Sequence, residues 1–319
     1  MGKYASKRNY GYGKQMAYAG HQALVSLYGR GHYSTVATHS DRWGQFSQWA
    51  KDNGVKDLAT TPNQALLERY AEHLQTQVLS GEMAVSTAQN LLSSANTTFL
   101  ALRGDHRVRV SPSQYVGKRS NVRQTAPTAL DTDKVTQTCR ALETAGLPRA
   151  SAVLQLAAAF GVRREEAIKA DLDRWHREAS RKGAVDVQEG TKGGRSAQRL
   201  IAVSEPQRAA LAYARSVRPE GSRNLLALEE RYADLATARQ GELNRARPIL
   251  KAHGLSGFHD ARAAYACARY AVITGHPAPA VSGSLLPHKS QDQLARRLIS
   301  QELGHNRLDV TVAYLGGRK

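Results

Sequence analysis

Cysteine, aromatic side chains, acidic residues and long apolar runs are all scarce in this 319-residue chain. Two cysteines, Cys139 and Cys267, are too few for a disulfide scaffold or a zinc site. Their helix-like apolar surroundings mark them as buried structural thiols. The longest apolar run, AVLQLAAAFGV from Ala152, is about half a membrane span, so no membrane association is expected. The opening MGKYASKRNYGYGKQ lacks the apolar core of a secretory signal. Gly2 and Ser6 fit a myristoylation pattern, but the match is short and is set aside as coincidence. A cytoplasmic location follows. No His, Cys, Asp or Glu spacing suggests a metal site, and no metal or cofactor is expected.

Acidic residues number 27 against 45 Lys plus Arg, giving a net charge of +18. Residues 1–125 carry +8 of this and the remainder +10, so the surplus is not a basic tail on a neutral protein. A field of that size attracts polyanions, of which nucleic acid is the commonest. The length allows two domains with separate cores.

Residues 1–32, rich in Gly, Tyr, Lys and Arg, read as a partly ordered basic arm. Helical periodicity then begins. Ser34 or Thr35 is placed to cap a helix with Val36, Trp43, Phe46 and Trp49 on its apolar side. A second helix follows Thr61-Pro62, with Leu66, Leu67, Tyr70 and Leu74. A third, from Ser86-Thr87, carries Leu91, Leu92, Phe99 and Leu102, closing a helical domain over 33–104. Residues 105–128 are polar and basic and read as a linker. Arg107, Arg109, Lys118, Arg119 and Arg123 in it suit the tracking of a phosphate backbone. A second domain, 129–319, opens with helices. Two strand-like segments follow, AVDVQE and QRLIAV, joined by a Gly-rich turn in the manner of a hairpin. Residues 205–250 return to long, charged helical patterns, and a Pro/Gly/Ser-rich break over 275–290 looks like an insertion.

The second domain carries a set of polar residues in a definite order. Arg163 stands in GVRREEA with Glu166 three residues on; Lys192 lies in the hairpin turn GTKGG. His259 and Arg262 form a His-x-x-Arg pair in FHDARAAYA, one helical turn apart and so on one face. LGHNRLDVTVAYLG supplies His305 and, nine residues later, Tyr314. Breaking a DNA strand without metal or ATP needs a nucleophile, cations for the non-bridging oxygens and an acid for the leaving oxygen. Arginine suits the second task, because its fork grips two phosphate oxygens and keeps its charge. Each piece alone is weak; five in order on a basic two-domain chain are strong together.

Read together, these motifs resemble the tyrosine recombinase (phage integrase) family, over roughly 34–319. The resemblance implies a mainly α fold: a helical, SAM-like core-binding domain, then a mixed α+β catalytic domain with a small antiparallel sheet. It implies site-specific cleavage and rejoining of DNA through a 3′-phosphotyrosyl link to Tyr314. Arg163 and Arg262 would clamp the phosphate, Lys192 would protonate the 5′ oxygen, and His259 would manage the tyrosine proton. His305 would hydrogen-bond the phosphate, and Glu166 would brace the arginines. The implied partners are double-stranded recombination sites bound by a tetramer on two duplexes, with DNA-bending or directionality factors, in a phage or other mobile element of prokaryotic setting. Two alternatives are a type IB topoisomerase and a non-catalytic DNA-binding accessory protein on the same scaffold. Five residues follow Tyr314, too few for a docking helix, which leaves coupling between subunits to 275–290 or the arm.

Overall fold

The computed structural model describes residues 7–191, 198–305 and 307–317. The chain divides into two compact units, Met1–Ser120 and Asn121–Lys319. Among the described residues the fold is mainly helical with one small antiparallel sheet, in agreement with the expected class.

The first unit comprises α1 (Met16–Tyr28), α2 (Tyr33–Asp52), α3 (Asn63–Leu79), α4 (Val85–Arg103) and the short α5 (Pro112–Val116). Its core is aromatic. Trp43 stacks on Phe46 at 4.6 Å and meets Phe99 edge-on at 5.3 Å, while Tyr70 stands edge-on to Phe46 at 5.1 Å. Each such pair adds about 0.5–1.5 kcal/mol to the area it buries. The indole N–H of Trp43 donates to the Met16 carbonyl at 2.9 Å, which ties α1 into this core. Gly20 lies so close to the indole that no Cβ fits there.

Both expected boundaries of this unit move. The stretch read as an arm contains α1, because Ala19, Gly20, Ala23 and Leu24 form a narrow stripe of small and apolar residues that is buried. The stretch read as a linker divides between the units. Val108, Val110 and Val116 are buried in the first unit's core, since the alternation in Arg-Val-Arg-Val turns both valines inward. The Ser34 or Thr35 cap also shifts: α2 starts at Tyr33, with His32 at its N-cap and no side-chain hydrogen bond there.

The second unit begins with α6 (Thr132–Thr144), α7 (Pro148–Phe160), α8 (Arg164–Lys169) and α9 (Leu172–Lys182). Strands β1 (Ala184–Asp186) and β2 (Leu200–Ala202) form the hairpin, with Val185 opposite Ile201. After α10 (Glu205–Ser216) the expected long helical pattern is broken into short pieces: α11 (Tyr232–Ala236), α12 (Glu242–Arg245) and α13 (Arg247–Ala252). Gly241, packed on the Asp234 and Leu235 carbonyls, and Pro248 at the start of α13 fall at the breaks. The chain ends with α14 (Phe258–Thr274), α15 (Pro279–Ser282), α16 (Lys289–Glu302) and the single turn α17 (Val312–Leu315).

Helix α14 is the axis of this unit. Ala261, Ala263, Ala264 and Ala266 are buried around it, and such small side chains let α7 and α16 approach closely. Cys139 and Cys267 are buried free thiols, as expected. The 275–290 stretch does not simply project: α15 buries Pro279 and Ala280 against the turn that carries Tyr314. Among the described residues, no helix is long and apolar enough to cross a membrane.

Candidate active site

The site starts from a sharp turn. Helix α7 ends at Gly161, whose φ of +61° is left-handed and favours glycine. A Cβ there would also run into the Tyr265 ring. The chain then extends through Arg163, and α8 begins. Glu166 reaches back, and its Oε2 accepts from the Arg163 backbone N–H at 2.7 Å, closing the first turn as a helix cap. The same carboxylate, 0% exposed, accepts from Arg163 Nη1 at 2.6 Å and stands 3.6 Å from Arg262 Nη1. Burial opposes its ionisation, but the neighbouring cations and the Arg163 N–H outweigh this and hold Glu166 below the usual carboxylate range.

Arg262 projects from α14 and is fully buried. Its Nη1 donates to the Gly161 carbonyl, and its Nη2 donates to Leu303 O at 2.7 Å and to His305 Nε2 at 3.1 Å. Its Nε stands 3.3 Å from the Tyr314 hydroxyl. Burial first, and then the charges of Arg163 and Arg199, lower its pKa to about 10, so it stays cationic at neutral pH.

Tyr314 is only 5% exposed. Its hydroxyl accepts from Arg262 and donates to His305 Nε2 at 3.1 Å. Donors thus converge on His305, and burial together with Arg262, Arg163 and Arg199 depresses its pKa to about 3. It is neutral, with Nε2 as acceptor. His259, in the first turn of α14, keeps an exposed edge, and its ring centre lies 5.6 Å from that of Tyr314. Desolvation by its neighbours, then Arg262 and Arg163, lower its pKa as well. A basic cleft of about 820 Å³ opens beside Arg163 and His259, with Arg164, Arg247, Lys251 and Tyr232 on its walls.

The arrangement is a cluster of guanidinium groups around one carboxylate with a tyrosine hydroxyl inside it, a chemistry suited to holding an anion. Residues 117–268 match a family model described as integrase. In that stretch, just under half of its length, the chain is similar to the integrase family. No curated protein is significantly similar to it. Its fold is similar to that of a lambda integrase dimer bound to a COC′ core site (TM-score 0.56, 15% identity, covering 93% of this chain and 95% of that one). It is also similar to XerH recombinase in a pre-cleavage complex with difH (TM-score 0.52, 15% identity, 89% and 76%). A lambda integrase tetramer on a Holliday junction gives a TM-score of 0.51 at 16% identity, over 93% and 75%. At such identities the likeness to these structures is one of fold.

Of the residues that the sequence singles out, Arg163, Glu166, Arg262, His305 and Tyr314 meet in one cluster, with His259 at its edge. Lys192 lies outside the described residues. Arg107, Arg109, Lys118 and Arg119 are exposed in the first unit. Arg123 departs from them. It belongs to the second unit and pairs with the buried Asp260 at 2.8 Å, while Asp260 also accepts from the Ala129 N–H at 2.9 Å. That pair pins the start of α14, so Arg123 is spent inside the fold rather than presented to a backbone.

One residue of this cluster escapes the motif reading. Arg199, just before β2, is 3% exposed, with Nη1 at 2.8 Å from Glu166 Oε2. Its Nε donates to the Glu302 carbonyl at 2.5 Å. Glu166 therefore faces three guanidinium groups, and the centre keeps a surplus of positive charge. A signal for Arg199 exists in the alternation of its strand: it shares a face with buried Ile201, opposite exposed Leu200.

Proposed function

We propose that this protein is a tyrosine recombinase of the integrase kind that cuts and rejoins double-stranded DNA at specific sites, with Tyr314 as the nucleophile of a covalent 3′-phosphotyrosyl intermediate. The observation that carries the reading is the placement of the Tyr314 hydroxyl within 3.3 Å of Arg262 and 3.1 Å of His305, inside a site with surplus positive charge.

A scissile phosphate entering this site would take over donors that now face inward. Arg163, partly exposed beside the cleft, would bind one non-bridging oxygen and Arg262 the other, offsetting the charge that grows in the transition state. The Tyr314 oxygen would then form a bond to phosphorus while the bond from phosphorus to the 5′ oxygen breaks. Its proton passes to a histidine. The expected division gave that task to His259 and the phosphate to His305, yet His305 is the one in hydrogen-bond reach of Tyr314. Bound phosphate would offset the arginines that now depress His305 and restore its basicity. Lys192 is the proposed donor to the departing 5′ oxygen. Rejoining reverses each step, and the ester energy is kept throughout.

The same reading assigns the cleft beside Arg163 to DNA backbone, with Arg247 and Lys251 facing phosphates. It takes the working assembly to be a tetramer on two duplexes, aided by bending or directionality factors, in the cytoplasm of a host that carries the mobile element. The test uses DNA containing the chain's own site, nicked so that the cut fragment diffuses away. A covalent adduct is expected, absent in Tyr314→Phe and strongly reduced in Arg163→Ala and Arg262→Ala. An adduct that persists in Tyr314→Phe sinks the assignment.

A further inference from the structure

Tyr314 sits in α17, a single turn, and one helical turn has no stability of its own. Something outside must hold it. Arg296 of α16 is fully buried beneath it. Its Nη1 donates to Thr311 Oγ1, ahead of the turn, and to the Gly316 carbonyl behind it, both at 3.3 Å. Its Nη2 donates to the Gly317 carbonyl at 2.9 Å. Carbonyls after a helix end are without partners in the helix, and here one guanidinium satisfies two of them.

The other side of Arg296 is equally fixed. Its Nε donates to Asp292 Oδ1 at 2.7 Å, and the same oxygen accepts from the Tyr270 hydroxyl at 2.8 Å. Tyr270 belongs to α14, two turns beyond Arg262, about 12 Å along one helix axis. The helix that carries the phosphate-site arginine is therefore linked through Asp292 and Arg296 to the backbone flanking Tyr314. Gly316 closes the arrangement: its φ is +84°, and a Cβ there would press on the Ala280 N and the Arg123 carbonyl. A buried ion pair is a poor source of stability compared with apolar packing. What this one provides is an address for a turn that cannot place itself.

We propose that Arg296, oriented by Asp292 and Tyr270, is a positioning residue that fixes the reach of Tyr314 to the phosphate site. This rests on the reading of Tyr314 as nucleophile. The test compares two reactions of the full chain. The first is adduct formation on nicked DNA at saturating concentration. The second does not use Tyr314: in a Tyr314→Phe background, a DNA 5′ hydroxyl attacks a neighbouring 3′-phosphate esterified to p-nitrophenol. The new bond joins the strands, p-nitrophenolate leaves with its electron pair, and the hydroxyl proton passes to buffer.

Arg296→Met combined with Asp292→Asn, which leaves no orphaned buried charge, is expected to slow adduct formation about 100-fold. Its half-saturating DNA concentration and its joining rate should stay within about twofold of the parent values. Arg296→Lys keeps the charge without the fork and should slow adduct formation about tenfold while sparing joining, even if the double variant fails to fold. Arg163→Ala should lose both reactions. Unchanged adduct formation overturns the proposal, and so does a parallel loss of joining, which would make Arg296 a general support of the site. Absence of the adduct in the unsubstituted chain, together with absence of joining in Tyr314→Phe, would instead overturn the proposed function.

Discussion

Replacing Glu166 with glutamine tests the charge balance of the site directly. Glutamine has the shape of the native side chain and can still accept one hydrogen bond, but it leaves Arg163, Arg199 and Arg262 without a counter-ion. The carboxylate stands 2.6, 2.8 and 3.6 Å from them. Removing one member of a buried ion pair costs about 3–5 kcal/mol. For a unit of this size each kcal/mol moves the midpoint by roughly 2–4 °C, so a fall of roughly 8–16 °C is expected for about 4 kcal/mol. Calorimetric unfolding at pH 7 reads it. Sulfate or site DNA should narrow the gap, because an anion then takes the place of the lost carboxylate. The pH dependence has a definite sign. Glu166 is held below its unfolded value of 4.5, so its contribution is fully present above that pH and is lost as pH falls through the lower folded value. The gap should close only in that acid range. A midpoint within about 2 °C of the parent, or a gap that ignores both anions and acid, would refute the reasoning.

Three further outcomes are expected. His305, with its pKa pressed to about 3, should show imidazole NMR signals that do not titrate between pH 7 and pH 5 in the DNA-free protein; a midpoint near the ordinary 6.5 would contradict the crowding of donors. Gly161→Ala forces a Cβ into the Tyr265 ring at φ +61° and disturbs the carbonyl that holds Arg262. It should cost about 1–3 kcal/mol by denaturant unfolding and slow adduct formation more than it weakens DNA binding. Binding to DNA should weaken by about 10³–10⁵ between 50 and 200 mM salt if about 6–10 phosphates are contacted, whereas a flat salt profile would argue against backbone recognition.

Motif spacing was enough to place most of the site because its parts are local. Arg163 and Glu166 belong to one helix cap, His259 and Arg262 to one helical turn, and His305 and Tyr314 to one short excursion. Amphipathic periodicity likewise located α2, α3 and α4. The missed features depend on which side of an element faces inward. Arg199 looks like an ordinary strand arginine until its alternation with Leu200 and Ile201 is followed. Asp292 and Arg296 look like a surface pair four residues apart, although they share the buried side of α16 with Ala295 and Ile299. Helix α1 was hidden by small residues, whose stripe of Ala19, Gly20 and Ala23 is legible only once Trp43 is known to lie against it. The use of Arg123 on Asp260 joins residues 137 positions apart, and no local pattern announces such a pairing.

The burial of Tyr314 has a practical corollary for chemical labelling. The chain has 13 tyrosines, and Tyr33 and Tyr18 stand 76% and 55% exposed, whereas the Tyr314 ring is enclosed and its hydroxyl is engaged. Iodinating or nitrating reagents in solution will meet the first two long before the last. A dye can therefore be attached through surface tyrosines while Tyr314 stays untouched. Stray electrophiles in a cell face the same order of access, so the Tyr314 hydroxyl is shielded while the surface tyrosines are not.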